Sequence, residues 1–275
     1  MPAKRTAPAS EGKHAPVLRP PLKWAGGKRW LVPRLAPLWN AQSRRRLVEP
    51  FCGGLAVALG LNPASALLND VNPHPVNFYR RLQEGLTIRV AMRNERDLYY
   101  QHRSDFNRLT TTRRGLFSRK AAELFYYLNR TAYNGLCRFN RNGEFNVPFG
   151  RHQRINYVRD FSAYADVLSR WQFTYEDFED LELEDDDFVY ADPPYDVPFR
   201  HYSRFGFDWE EQVRLARWLS NHRGPVVLSN QATERILGLY RSLGFRIEVV
   251  EGPRSISRTG DRTPAREVIA TRGLD

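Results

Sequence analysis

Cysteine is nearly absent: Cys52 and Cys137 are the pair in 275 residues, too few for a disulfide framework, and a reducing cytoplasm is the expected setting. The six histidines, at 14, 74, 102, 152, 201 and 222, are scattered, with no metal-ligand spacing among them, so no metal is expected. No apolar run is long enough to cross a bilayer, and the N-terminus lacks a secretory apolar core. The Gly-x-Gly-x-x-Gly pattern of dinucleotide binders is missing, and no internal repeat is evident. Residues 1–20, rich in Ala, Pro, Lys, Arg and Ser, read as a disordered basic tail; an acid and several prolines interrupt any transit-peptide pattern.

What remains is basic and aromatic. Net charge is +11 with a pI near 9.9, which favours a polyanionic partner. Residues 101–160 carry twelve Lys or Arg against four acids, together with Phe106, Phe117, Phe125, Tyr126, Tyr127, Tyr133, Phe139 and Phe145. Cations mixed with aromatics suit phosphate and base contact, although any one of them is explained equally well as solvated helix surface. The opposite charge concentrates at Glu176 to Asp187, nine acids in twelve residues, which reads as a solvated turn between strands.

That turn leads into Phe188-Val189-Tyr190-Ala191, a buried-strand pattern, and then Asp192-Pro193-Pro194-Tyr195. Two prolines end the ladder and restrict the residue before them. A rigid strand end results, offering the Asp192 carboxylate, a Pro193 carbonyl outside any ladder and the Tyr195 ring. Two acceptors and a flat face suit a heterocycle with an exocyclic amine; a plain strand-to-turn junction is the competing explanation. Upstream, Leu47 to Phe51, Cys52-Gly53-Gly54 and Leu55 to Leu59 read as strand, glycine turn and helix. Ala66 to Asp70 then form a second strand ending in an acid. This is the logic of nucleoside binding, with Asp70 accepting from ribose hydroxyls, or alternatively capping the next helix.

These segments, with Leu22-Lys23-Trp24-Ala25-Gly26-Gly27-Lys28, Asn69-Asp70-Val71-Asn72, Tyr127 to Asn140, Gly143 to Gly150, Leu228-Ser229-Asn230 and Arg254 to Ser257, resemble Dam-type DNA adenine methyltransferases. The match runs from about residue 20 to the end. It implies S-adenosylmethionine as methyl donor, with Trp24, Lys28, Phe51, Gly53, Asp70, Asp177, Phe178 and Asp192 as cofactor residues. It implies Asp192, Pro193, Pro194 and Tyr195 as the catalytic group, acting on N6 of a flipped adenine. Lys23, Tyr133, Asn134, Leu136, Arg138, Asn140 and Pro148 are the implied DNA contacts, with Arg138 gripping a guanine and GATC as the site read. Leu55 departs from the family's Phe-x-Gly-x-Gly turn, standing where a small residue is usual.

Strands are expected at 46–51, 65–70, 171–177, 187–191, 225–229, 246–250 and 266–271, and helices at 74–84, 89–109, 113–130, 208–222 and 232–243. Alternation at both ends of the chain predicts an α/β, Rossmann-like, mostly parallel sheet of the methyltransferase type. Residues 21–75 and 165–275 would form the catalytic domain, with 76–164 a helical insertion for target recognition. Double-stranded DNA is the expected partner, the protein a monomer in solution. The alternatives are methylation of another amine (cytosine N4, an RNA base, a protein glutamine) and a catalytically silent DNA-binding regulator.

Overall fold

The computed structural model describes residues 18–196, 206–253 and 265–274. Its centre is a seven-stranded sheet: β1 (Leu47–Glu49), β2 (Ala66–Asn69), β3 (Trp171–Thr174), β4 (Phe188–Ala191), β5 (Val226–Gln231), β6 (Arg246–Gly252) and β7 (Ala265–Arg272). They lie in the order β3-β2-β1-β4-β5-β7-β6. The first five pair in parallel, and β7 runs antiparallel between β5 and β6. The expected mostly parallel α/β sheet is therefore present, and every expected strand lies on an observed one.

Period-two alternation sends neighbouring side chains to opposite faces. Leu47, Leu68 and Phe188 enter one core; Val48, Leu67 and Val189 enter the other. The first face is covered by α1 (Val32–Asn40), α2 (Ala56–Leu61) and α3 (Pro73–Gln83). The second is covered by α8 (Trp209–Asn221) and α9 (Glu234–Ser242). Between them in sequence come α4 (Arg96–Leu109), α5 (Arg113–Leu116), α6 (Arg119–Thr131) and α7 (Ser162–Leu168). Their apolar side chains join the first core without a break: Phe78 of α3 stacks on Tyr126 of α6 with centroids 5.2 Å apart.

Three helical boundaries differ from the periodicity. The helix expected from 89 starts at Arg96, because the N–H groups of Arg89 and Val90 donate to the buried Glu123 carboxylate at 2.8 and 3.0 Å. The helix expected over 113–130 is broken at Ser118, whose hydroxyl accepts from the Ala121 N–H and caps a new start. Helix α1 was hidden by Pro33 and Pro37; the first lies in the opening turn, where its missing N–H costs nothing. Residues 1–17 of the expected tail, and Arg254 to Ser257, lie outside the described residues.

Candidate active site

Strand order reverses between β1 and β4, and ligands in open α/β sheets bind outside the strand ends at such a point. A cleft of about 900 Å³ opens there. It is lined by Trp24, Lys28, Phe51, Gly53, Asp70, Asp177, Phe178, Asp192, Pro193, Pro194 and Tyr195, so the expected cofactor and catalytic residues converge. Leu136 and Arg138 border the same cleft, whereas Lys23, Tyr133, Asn134, Asn140 and Pro148 do not line it.

The glycine turn after β1 is shaped by what lies against it. A Cβ on Gly53 would come 2.5 Å from the Trp24 indole nitrogen, and one on Gly54 would come 2.7 Å from the Trp24 Cβ. Leu55 holds the left-handed conformation, φ 60° and ψ 30°, fully buried. Glycine takes that conformation freely, which accounts for the usual small residue; here burial of the leucine offsets a backbone cost of about 1–2 kcal/mol. The Asp70 carboxylate secures the turn from the side, accepting from the N–H of Gly53 at 3.0 Å and of Asn72 at 2.9 Å. Burial raises Asp70 to about 6, against those two hydrogen bonds. Helix α3 is capped by Asn72, not by Asp70.

Asp192 stands at the end of β4 with both oxygens engaged. The Lys28 ammonium, itself buried, lies 2.9 Å from each and donates to one of them, and the Ser229 hydroxyl donates at 2.9 Å. Burial raises the Asp192 carboxyl, opposed by Lys28. Among the described residues nothing donates to the Pro193 carbonyl. The next carbonyl, that of Pro194, accepts from Gln212 Nε2 at 2.8 Å. Gln212 is held in turn by Asn230 Nδ2 at 2.9 Å, and Asn230 by the Tyr240 hydroxyl at 3.0 Å, all buried. The Tyr195 ring sits 4.6 Å from Lys28 Nζ.

Asp177 and Phe178 border the far side of the cleft. Arg214 of α8 grips both Asp177 oxygens at 2.7 Å, holding its carboxyl below the usual range, and lies over the Phe178 ring at 4.1 Å. Other acids of that run pair likewise: Asp187 with Arg46, Asp186 with Arg45, Asp185 with Arg223.

Among the described residues, two carboxylates in the cleft carry oxygens without a hydrogen-bond partner. Glu49, at the end of β1, is buried with Oε1 unpartnered, and its carboxyl is pushed well above the usual range by burial and then by Asp192. Glu267 of β7 has Oε2 unpartnered and its carboxyl raised by burial, opposed by Lys28. A buried anion without a partner is costly. Surplus negative charge thus fits a cationic ligand, and S-adenosylmethionine carries an ammonium and a sulfonium. Glu267, Gln212 and Arg214 were not singled out from sequence, and Glu49 and Ser229 entered only within quoted segments, without a role. The readable signal was polarity inside apolar patterns: Glu49 closing a buried strand, and Gln212 on the Leu215, Leu219 face of α8.

The loop after α6 has a different construction. Asn134 and Gly135 take left-handed φ of 52° and 64°, and a Cβ on Gly135 would come 2.5 Å from the Lys23 side chain. Lys23 is fixed by its backbone, its N–H and carbonyl both paired at 2.8 Å with the buried Asn129 amide. Burial, and then Arg130, lowers its ammonium. Tyr133 is 53% exposed. Phe139 pairs with Phe145 in a hairpin, across which Arg138 Nε donates to Asn146 Oδ1 at 2.8 Å. Asn140 pairs with Glu144 at 2.7 Å within the same hairpin. Pro148 is exposed, its carbonyl accepting from the Tyr133 N–H at 2.9 Å.

Comparison with known proteins follows this geometry. A family model described as D12 class N6 adenine-specific DNA methyltransferase matches residues 24–256. The Retron Ec67 DNA adenine methylase of Escherichia coli is 33% identical over 266 residues, covering 92% of this chain and 90% of that protein. A DNA adenine methylase of Vibrio cholerae serotype O1 is 33% identical over 259 residues, covering 87% and 90%. The Type II methyltransferase M1.LlaDCHI of Lactococcus lactis is 33% identical over 282 residues, covering 92% and 95%.

Proposed function

The chain belongs to the D12 class of N6 adenine-specific DNA methyltransferases, and from that premise we propose how it works. The substrate is double-stranded DNA, the product N6-methyladenine in GATC, and the unit a monomer acting on one extruded base. The observation that carries this reading is the pairing at the end of β4 of a held carboxylate with a carbonyl that no described residue claims.

An adenine amine is a weak nucleophile because its lone pair is delocalised into the ring. Asp192 and the Pro193 carbonyl accept its two N–H bonds and draw the nitrogen towards a tetrahedral shape. The lone pair then points into the cleft, and the transfer needs no covalent enzyme intermediate. Tyr195 stacks on the base, which has to leave the duplex to reach a strand end inside a cleft. S-adenosylmethionine, when bound, supplies the electrophilic methyl group. Trp24, Phe51 and Phe178 would give it apolar faces, Asp70 would accept from its ribose hydroxyls, Asp177 would meet its adenine, and Glu49 would offset its positive charge. Positioning and electrostatics carry the catalysis.

On the DNA side, the insertion over 76–164 supplies phosphate contact through its surplus cations. Arg138 reads a guanine edge, Leu136 and Pro148 meet a thymine methyl, Tyr133 fills the gap left by the base, and Lys23, Asn134 and Asn140 add polar contacts.

The test is to treat unmethylated plasmid with the protein and S-adenosylmethionine and sequence it with a modification-sensitive readout. N6-methyladenine confined to GATC is expected. Methyl on cytosine, or at adenines irrespective of sequence, overturns the corresponding part. Calorimetric uptake of S-adenosylmethionine separates an enzyme from a silent DNA binder.

A further inference from the structure

The hand that holds Asp192 is also in its way. Lys28 donates to the carboxylate that has to receive the adenine amine, so one of the two must yield. Two of its three N–H bonds are placed, on Asp192 and on the Gly26 carbonyl, each at 2.9 Å. Beyond them stands buried Glu267, with Oε2 3.9 Å from the ammonium and no hydrogen-bond partner among the described residues. Bringing that contact to hydrogen-bond length requires a movement of about 1 Å, with the Gly26 carbonyl as a fixed pivot. The room for Glu267 is provided by Gly252 on the adjoining strand, where a Cβ would come 2.7 Å from Glu267 Oε1.

We propose that Glu267 is a positioning residue that takes over Lys28 when the amine binds. In the free protein Lys28 keeps Asp192 compensated. As the amine donates to Asp192, Lys28 moves to Glu267, and neither ion is left unpaired in the interior, which would be strongly unfavourable. This inference rests on the assignment of Asp192 to the amine. Glu267 neighbours Tyr195 as well as Lys28, and the role proposed for it is exerted through Lys28.

The experiment is a double-mutant cycle on single-turnover methyl transfer, using the full chain, S-adenosylmethionine and a GATC duplex. Glu267→Gln preserves shape and should slow transfer by roughly tenfold, with duplex affinity unchanged, since an electrostatic partner of the site is lost. In a Lys28→Met background the same substitution should have no further effect, because its intermediary is gone. An equal loss in both backgrounds overturns the proposal. The pH profile gives a readout that misfolding does not mimic. Among the described residues, the charged or titratable groups around this point are Lys28 before the first helix, Tyr190 on β4, Asp192 and Tyr195 after it, Glu49 on β1 and Glu267 on β7. With Glu267 neutral, Lys28 stays wholly on Asp192, so the acid limb of the rate should move to lower pH; an unmoved limb counts against the hand-over. If Glu267→Gln fails to fold, Gly252→Ala presses on the same carboxylate without removing its charge, and transfer at the wild-type rate there overturns the idea. The underlying reading fails separately: wild-type turnover in Asp192→Ala removes both, whereas an inactive Asp192→Ala beside a fully active Glu267→Gln removes only the hand-over.

Discussion

The end of β4 and the loop after α6 are the two ends of one task, yet they are built in opposite ways. At β4 the groups that are held are held from other elements of the chain: Asp192 by Lys28 and Ser229, the Pro194 carbonyl by Gln212. In the loop the side chains turn to near neighbours or to solvent: Arg138 to Asn146, Asn140 to Glu144, Tyr133 to water. Chemistry that depends on tenths of an ångström is set in a scaffold that exists before any ligand arrives. On the proposed function, reading of DNA would fall to side chains free to exchange a local partner for a base edge. Mutations should therefore fail differently at the two ends, by loss of rate at one and loss of discrimination at the other.

The largest effect should come from Asp192→Ala. It removes one of two acceptors and strands Lys28, and transfer should drop by about a thousandfold or more while gel-shift affinity for the duplex holds. Next is Gln212→Ala, which leaves Asn230 and the Pro194 carbonyl without their buried partner. Urea unfolding should register about 1–3 kcal/mol of lost stability, and the rate should fall with it. A variant with normal stability and rate would mean that the prolines alone hold the tetrad.

How far this contrast was legible in the sequence depends on distance along the chain. Strands announced themselves by short apolar runs, and the tetrad by two prolines, because both signals are local. Helix boundaries were misplaced where a remote group intervened, as when Glu123 drew Arg89 and Val90 out of a helical turn. Ser229 reaches Asp192 and Gln212 reaches the Pro194 carbonyl from 37 and 18 residues away, and no spacing rule places them there. Nothing in the sequence pattern of α8 marks Arg214, which the fold sets over Phe178. Loop residues came through better, since their geometry is made by Asn134-Gly135 and a hairpin within a few positions.

Smaller effects sharpen the loop side. Arg138→Ala should cost about 1–3 kcal/mol of discrimination at one guanine, so that cognate and one-base-changed duplexes are methylated at closer rates. Equal weakening on all duplexes, with a shallower salt dependence, would make Arg138 a phosphate contact instead. The mildest prediction returns to the buried side. Asp70 is raised from 3.8 to about 6 in the folded chain, so the unfolded chain loses its proton first. The stability this group contributes is present below about pH 4 and is lost as pH rises through about 6. Thermal melts of wild type and Asp70→Asn between pH 4 and 7 should diverge in slope over that interval and run parallel above it. Parallel curves throughout would place the carboxyl near its ordinary value.

The stretch from Lys23 to Lys28 touches everything discussed above. Its first residue is clamped by Asn129 and crowded by Gly135 of the reading loop; its second lies across Gly53 and Gly54; its last grips Asp192. Such a segment behaves as a strut. A displacement of the loop after α6 reaches Trp24 and the glycine turn directly through Lys23, while the exposed Ala25-Gly26-Gly27 link is where the strut can bend before Lys28.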